Sequence, residues 1–69
     1  DQNEPNALHI LANIAFSMAQ FDRALELVSR AISLRPTQPD YFTTLGSIYS
    51  LKAKPKMALD AYTKVLELN

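Results

Sequence analysis

Cysteine is absent from the chain, and histidine and glycine occur once each. Neither sign of charge is in excess, since seven Lys and Arg offset seven Asp and Glu. Without cysteine there is no disulfide and no thiolate metal site, and the redox compartment stays open. A lone histidine, His9, makes neither a metal site nor a catalytic pair; its near neighbours Asn6 and Asn13 are amides, not carboxylates. One glycine excludes a phosphate-cradling glycine loop. The serines, Ser17, Ser29, Ser33, Ser47 and Ser50, sit in no nucleophile motif, and the acidic residues are scattered rather than clustered for a cation. These absences predict no enzyme: no catalytic residue, no cofactor and no metal. Balanced charge argues against nucleic acid and anionic membrane as partners, and Lys52, Lys54 and Lys56 read as a solvated turn. No apolar run approaches the roughly 20 residues of a membrane span. The opening DQNEPN is acidic and polar where a secretory leader is basic and then apolar.

What is present is helical periodicity punctuated by proline. Pro5, Pro36, Pro39 and Pro55 divide the chain. Leu8, Leu11, Ala12, Ala15 and Ala19 share one helical face, and Ala24, Leu27, Val28, Ala31, Ile32 and Leu34 form a second stripe. Phe42, Leu45, Gly46, Tyr49 and Ala53 form a third, and Met57, Ala58, Ala61, Tyr62, Val65 and Leu66 a fourth. No segment alternates as a half-buried strand does. The spacing predicts an all-α fold of four helices, over 6–18, 22–34, 40–52 and 56–68. Asp22 and Asp40 are candidates to cap or charge helix N-termini, and Pro55 suits a helix start, where its missing N–H costs little. Short connections predict antiparallel hairpins. At 69 residues a single core is marginal, so helix packing or association must supply what staples do not.

Sliding the chain along itself by 34 residues superposes Pro5 on Pro39, Leu11 on Leu45, Ile14 on Ile48 and Ala19 on Ala53. Ala24, Leu25 and Leu34 fall on Ala58, Leu59 and Leu68, giving seven identities in 35 pairs. The 69 residues therefore read as one domain of two copies of one hairpin, spanning 5–38 and 39–69. The repeat also accounts for Gly46, which stands inside a helix at a cost of roughly 1 kcal/mol relative to alanine. Its equivalent is Ala12, and the second helices carry Ala24 and Ala58. Small residues recur where two helices of a hairpin approach closely.

A 34-residue helix-turn-helix unit resembles the tetratricopeptide repeat, with its W-x2-L-G-x2-Y, A-x3-F and P pattern. The second copy carries Phe42 for the Trp, then Leu45, Gly46, Tyr49, Ala58 and Tyr62; the first is more degenerate, with Leu8, Leu11, Ala12, Ala15, Ala24, Val28, Ala31 and Pro36. It departs from the family at Ala19 and Ala53, a turn position where glycine is frequent, and at Pro55, where an aromatic is frequent. The resemblance implies two tandem hairpins of an α-α superhelix whose first helices line a concave face that binds extended peptide. On that face the candidates are Asn6, His9, Ile10, Asn13, Phe16 and Ser17 from the first helix, and Asp40, Thr43, Thr44, Ser47, Ser50 and Leu51 from the third. Family members that clamp C-terminal carboxylates use Lys, Arg and Asn there; this chain keeps Asn13 but has His9 and Thr44 where Lys and a second Asn are expected, so the clamp is not implied. Asn13 alone resembles the asparagine ladder of O-linked N-acetylglucosamine transferases. The first copy, with its Ala7-Leu8-His9-x-Leu11 opening and Arg30-Ala31-Ile32-x-Leu34-x-Pro36 close, is also similar to repeats upstream of bacterial glycosyltransferase- or sulfotransferase-like domains.

These readings predict a non-catalytic protein–protein interaction scaffold. The alternatives are an accessory substrate-positioning module of a larger bacterial transferase, and a structural spacer or oligomerisation unit. The chain ends at Asn69, one residue before the repeat's closing proline, so it reads as part of a longer chain. Arrays of this kind usually need about three units and a polar cap. Met57, Ala61, Leu66 and Leu68 of the last helix are therefore expected to lack full cover, and self-association through that end is expected.

Overall fold

A computed structural model describes residues 4–69. Four helices follow one another: α1 (Pro5–Ser17), α2 (Phe21–Leu34), α3 (Pro39–Leu51) and α4 (Pro55–Leu68). The bounds lie within one residue of those read from the periodicity, and the described residues contain no strand. α1 and α2 form one antiparallel hairpin and α3 and α4 the next. α3 packs on α2 and touches α1, so the hairpins stack in chain order.

Prolines start three of the helices. Pro5, Pro39 and Pro55 each occupy the first turn, where the ring presets φ and no hydrogen bond is lost. Asp22 and Asp40 do not cap: the cap positions belong to Gln20 and Gln38, and neither makes a side-chain cap bond. Each aspartate lies inside the first turn instead, where its charge meets the helix dipole. The one side-chain N-cap is Glu4, whose carboxylate accepts from the Ala7 N–H at 2.8 Å.

Both hairpins turn by the same device. Ala19 and Ala53 have φ of 60° and 59°, the left-handed region in which an L-residue is strained. Around Ala19, the Ala19 N–H bonds to the Phe16 carbonyl at 3.0 Å and the Gln20 N–H to the Ala15 carbonyl at 2.9 Å. Around Ala53, the Ala53 N–H bonds to Ser50 at 3.2 Å and the Lys54 N–H to Tyr49 at 2.9 Å. Both pairs are the 5→2 and 6→1 bonds of a Schellman motif, which satisfies the orphan carbonyls of the helix end. Glycine frequents this position because it adopts positive φ without the Cβ penalty.

The fold is thin, with principal extents of 32 × 27 × 14 Å. Among the described residues eleven hydrophobic ones are buried and six of them are alanine, because closely packed helices leave little room between them. The main core joins Leu8, Ala12 and Ala15 of α1, Ala24, Leu27, Val28 and Ala31 of α2, and Tyr41 and Ile48 of α3. α3 thus completes the core of the first hairpin. Ala58 and Ala61 of α4 are buried too, but outside that cluster. Ala61 is covered, contrary to expectation, because it sits in the α3–α4 seam; Met57 and Leu66 are exposed as expected. Gly46 lies in the same seam. A Cβ built on it would stand 2.6 Å from Cε1 of Tyr62, so the ring occupies the space that a side chain would need.

Candidate functional site

α1 and α3 run side by side on one face and are joined by polar side chains. The Tyr41 hydroxyl donates to Oδ1 of Asn6 at 2.7 Å. His9 Nε2 lies 2.8 Å from Oγ1 of Thr44, and Thr44 donates to Oδ1 of Asn13 at 3.2 Å. A hydroxyl has one proton to give. Thr44 gives its proton to Asn13 and so accepts from His9, which fixes His9 as the Nε2–H tautomer in this network. The His9 and Tyr41 rings also pack at a tilt, with centroids 4.8 Å apart. Burial holds the His9 pKa below its ordinary value, with the Asp40 carboxylate opposing the shift.

This network brings together four of the predicted groove residues: Asn6, His9, Asn13 and Thr44. Both asparagines use the carbonyl oxygen toward α3, which leaves their amide N–H donors for solvent or a ligand. They are seven residues apart, two turns of α1, hence on one face and about 10 Å apart along it. Asp40, Thr43 and Ser50 are exposed on α3, and Thr43 donates back to the Pro39 carbonyl at 3.4 Å. Ser47 is half-buried with its hydroxyl 3.3 Å from that of Tyr62. Ile10 and Leu51 are 60% and 59% exposed. Ser17 closes on the Ile14 carbonyl at 2.8 Å. Phe16 differs from the rest. It is half-buried against the core and meets Phe21 edge to face, with centroids 5.7 Å apart, so it helps to anchor the start of α2.

Tyr41 is the network residue that the sequence reading passed over. Only 1% of it is exposed. The single stripe Phe42–Leu45–Gly46–Tyr49 places α3 against α4 alone. A second stripe, Tyr41–Leu45–Ile48–Lys52, was present at the same helical spacing and marks the face turned to the first hairpin. Lys52 ends that stripe with an ion pair to Asp22 across the two repeats, and this lowers the Asp22 pKa. Among the described residues no group of three His, Cys, Asp or Glu is placed to hold a metal ion, and no helix is long and apolar enough to cross a membrane.

Antiparallel hairpins stacked in one register, with their first helices side by side, define a helical-repeat protein of the solenoid class. The family model of the tetratricopeptide repeat matches twice, at residues 5–38 and 39–69. The chain belongs to the tetratricopeptide repeat family, and the two matches coincide with the two copies found by the 34-residue shift. Among solved structures it is similar to the crystal structure of MamA, with 26% identity and a TM-score of 0.96. That likeness covers all of this chain and 40% of the MamA chain. No curated protein sequence matches.

Proposed function

We propose that the chain is a non-catalytic protein-interaction module that binds an extended peptide segment across α1 and α3. The observation that carries this reading is the orientation of Asn6 and Asn13. Their carbonyl oxygens are tied to α3 by Tyr41 and Thr44, so the amides stand in fixed rotamers with donors to spare. A separation of about 10 Å matches one three-residue turn of an extended chain in the polyproline II conformation. Two rigid N–H donors at that interval can hold the carbonyls of residues i and i+3 of such a segment, which point the same way. Thr43, Ser47 and Ser50 continue a neutral polar surface along α3, and Asp40 is the one charge on it. Such a face reads backbone more than side-chain charge, and fixing its donors in advance lowers the ordering cost of binding.

The test is to pan a library of random linear peptides on the chain and measure the enriched peptides against Asn6→Ala and Asn13→Ala. Each variant should weaken binding about tenfold, the worth of one hydrogen bond that loses a partner. Amide side-chain NMR signals of both residues should shift on titration. Peptides that bind both variants as well as the parent would place the contact elsewhere. Enrichment of none would leave the module as a spacer.

A further inference from the structure

The repeat relation applies to the polar face as well as to the core. Asp40 of α3 stands 34 residues after Asn6 of α1, one residue inside the same helix of the second copy. The two side chains occupy equivalent places on neighbouring first helices, separated by on the order of 10 Å, the spacing of packed helices. One is a neutral donor and the other a carboxylate.

Asp40 lies beside the polar network. Its chain neighbour Tyr41 packs against the His9 ring and bonds to Asn6, and the Asp40 carboxylate is near enough for its charge to act on His9. No basic side chain answers that charge. Among the described residues Asp40 makes no ion pair. Lys52, twelve residues on and so about 18 Å away along α3, is committed to Asp22. Glu4, a second carboxylate at this edge, is turned into its own helix, where it accepts from the Ala7 N–H at 2.8 Å. The face therefore carries one exposed, unanswered negative charge at one edge and neutral donors along the rest.

Backbone recognition by itself does not set register. Two asparagine donors hold the carbonyls of residues i and i+3 of any extended segment, and a slip of one residue offers them the next pair. A charge to one side removes that degeneracy. A segment laid along α1 passes Asn6 level with Asp40, and a side chain that points from it toward α3 meets that carboxylate. The long stems of lysine and arginine suit that gap, whereas an acidic side chain there is repelled.

We propose that Asp40 selects a lysine or arginine in the bound segment, beside the carbonyl that Asn6 holds, and so fixes the register of the segment on α1 and α3. This rests on the peptide-binding reading above and adds the chemistry of the partner, a linear protein segment with a basic residue at one set position. The ion pair is exposed, so its strength is modest and falls with salt.

The experiment uses the peptides enriched by panning a random linear library on the 69-residue chain. They are made with acetylated N-termini and measured by fluorescence anisotropy at low salt. The enriched peptides should share a Lys or Arg at one position. Replacing it by norleucine should weaken binding to the parent about two- to fivefold, the worth of an exposed ion pair, and should change nothing for Asp40→Asn. In 1 M NaCl the preference should vanish, while the dependence on Asn6 and Asn13 persists. Asp40→Lys, shown by circular dichroism to keep the parent's helicity, should enrich Asp or Glu at that position. In NMR titrations the His9 pKa should fall further when the basic peptide binds, because the new cation offsets the charge of Asp40, and less with the norleucine peptide. Peptides that weaken on Asn6→Ala and Asn13→Ala but share no basic residue overturn the selection by Asp40 and leave the binding face standing. So does a basic-residue effect of equal size in Asp40→Asn. Affinity that disappears on acetylation assigns the cation to a terminal amine and also overturns the proposal. Enrichment of no peptide removes the binding face, and the role of Asp40 with it.

Discussion

Exchanging one residue pair between the repeats tests whether each hairpin seam is set by matched volume. In the first repeat the seam carries Ala12 and Val28, and both are fully buried. In the second the same positions carry Gly46 and Tyr62. Gly46→Ala gains about 1 kcal/mol of helix propensity, but its methyl carbon would stand 2.6 Å from the Tyr62 ring. Contact between carbons is comfortable only at about 3.5–4.0 Å, so the ring must retreat by about 1 Å. The ring is 39% exposed, and its hydroxyl rests against Ser47 at 3.3 Å. It has somewhere to go, yet moving it strains its rotamer and opens the seam. Overpacking of this kind costs about 1–3 kcal/mol, which outweighs the propensity gain. The expected net loss is about 1 kcal/mol for Gly46→Ala, and more for Gly46→Leu, which must expel the ring altogether. Tyr62→Val alone leaves Gly46 uncovered and costs about 1.5 kcal/mol in lost burial. The double variant removes ring and clash together and keeps the propensity of alanine. It should therefore lie within about 0.5 kcal/mol of the parent, a favourable coupling of about 2 kcal/mol. Urea unfolding of the four proteins measures the cycle, and thermal melts should follow at about 4–8 °C per kcal/mol for a domain of this size. Additivity within about 0.5 kcal/mol, or a Gly46→Ala variant more stable than the parent, would refute the matched seam.

The two turns offer a gain in place of a loss. Ala19→Gly and Ala53→Gly each relieve a left-handed alanine, and after the entropy that glycine costs in the unfolded chain, each should stabilise by about 0.5–1 kcal/mol in urea unfolding. Tyr41→Phe keeps the buried ring but leaves Asn6 without its donor, and should cost about 1 kcal/mol by the same measurement. His9 adds a pH dependence with a defined sign. Its folded pKa lies below the ordinary histidine value of 6.5, so the neutral form favours folding and its contribution is present above that value. Stability should fall as pH drops from about 6.5 through the folded pKa and then level off. A melt series from pH 7.5 to 5 checks this, and the slope in that window should shrink in His9→Gln.

Most of the architecture could be read from the chain because repetition doubles every weak signal. Helix ends at Pro5, Pro39 and Pro55, the close-approach positions at Ala12, Ala24, Gly46 and Ala58, and the strained turns at Ala19 and Ala53 are local features, and each recurs 34 residues on. The relation between the hairpins was less legible. Periodicity assigns a helix one face, but α3 has two, one for α4 and one for the first hairpin, and Tyr41 belongs to the second. The polar network was legible by residue and not by partner. Asn6, His9, Asn13 and Thr44 stand out as polar groups on first helices, whereas the bonds Tyr41–Asn6 and Thr44–Asn13 span 35 and 31 residues. No spacing rule within one helix reports such pairs.

The same distinction governs how the two repeats differ. Positions that set backbone geometry are conserved between the copies: proline at the helix start, alanine at the turn, a small residue in the seam. Of the positions that face the neighbouring repeat, Leu45 and Ile48 repeat Leu11 and Ile14, whereas Tyr41 and Lys52 stand where the first copy has Ala7 and Met18. Tyr41 meets Asn6 and His9 of α1, and Lys52 pairs with Asp22 of α2, so the two changed positions are those that make polar contacts across the repeats. Each hairpin is therefore a copy in its backbone and its apolar contacts, and the two differ where a polar partner on the neighbouring repeat has to be met.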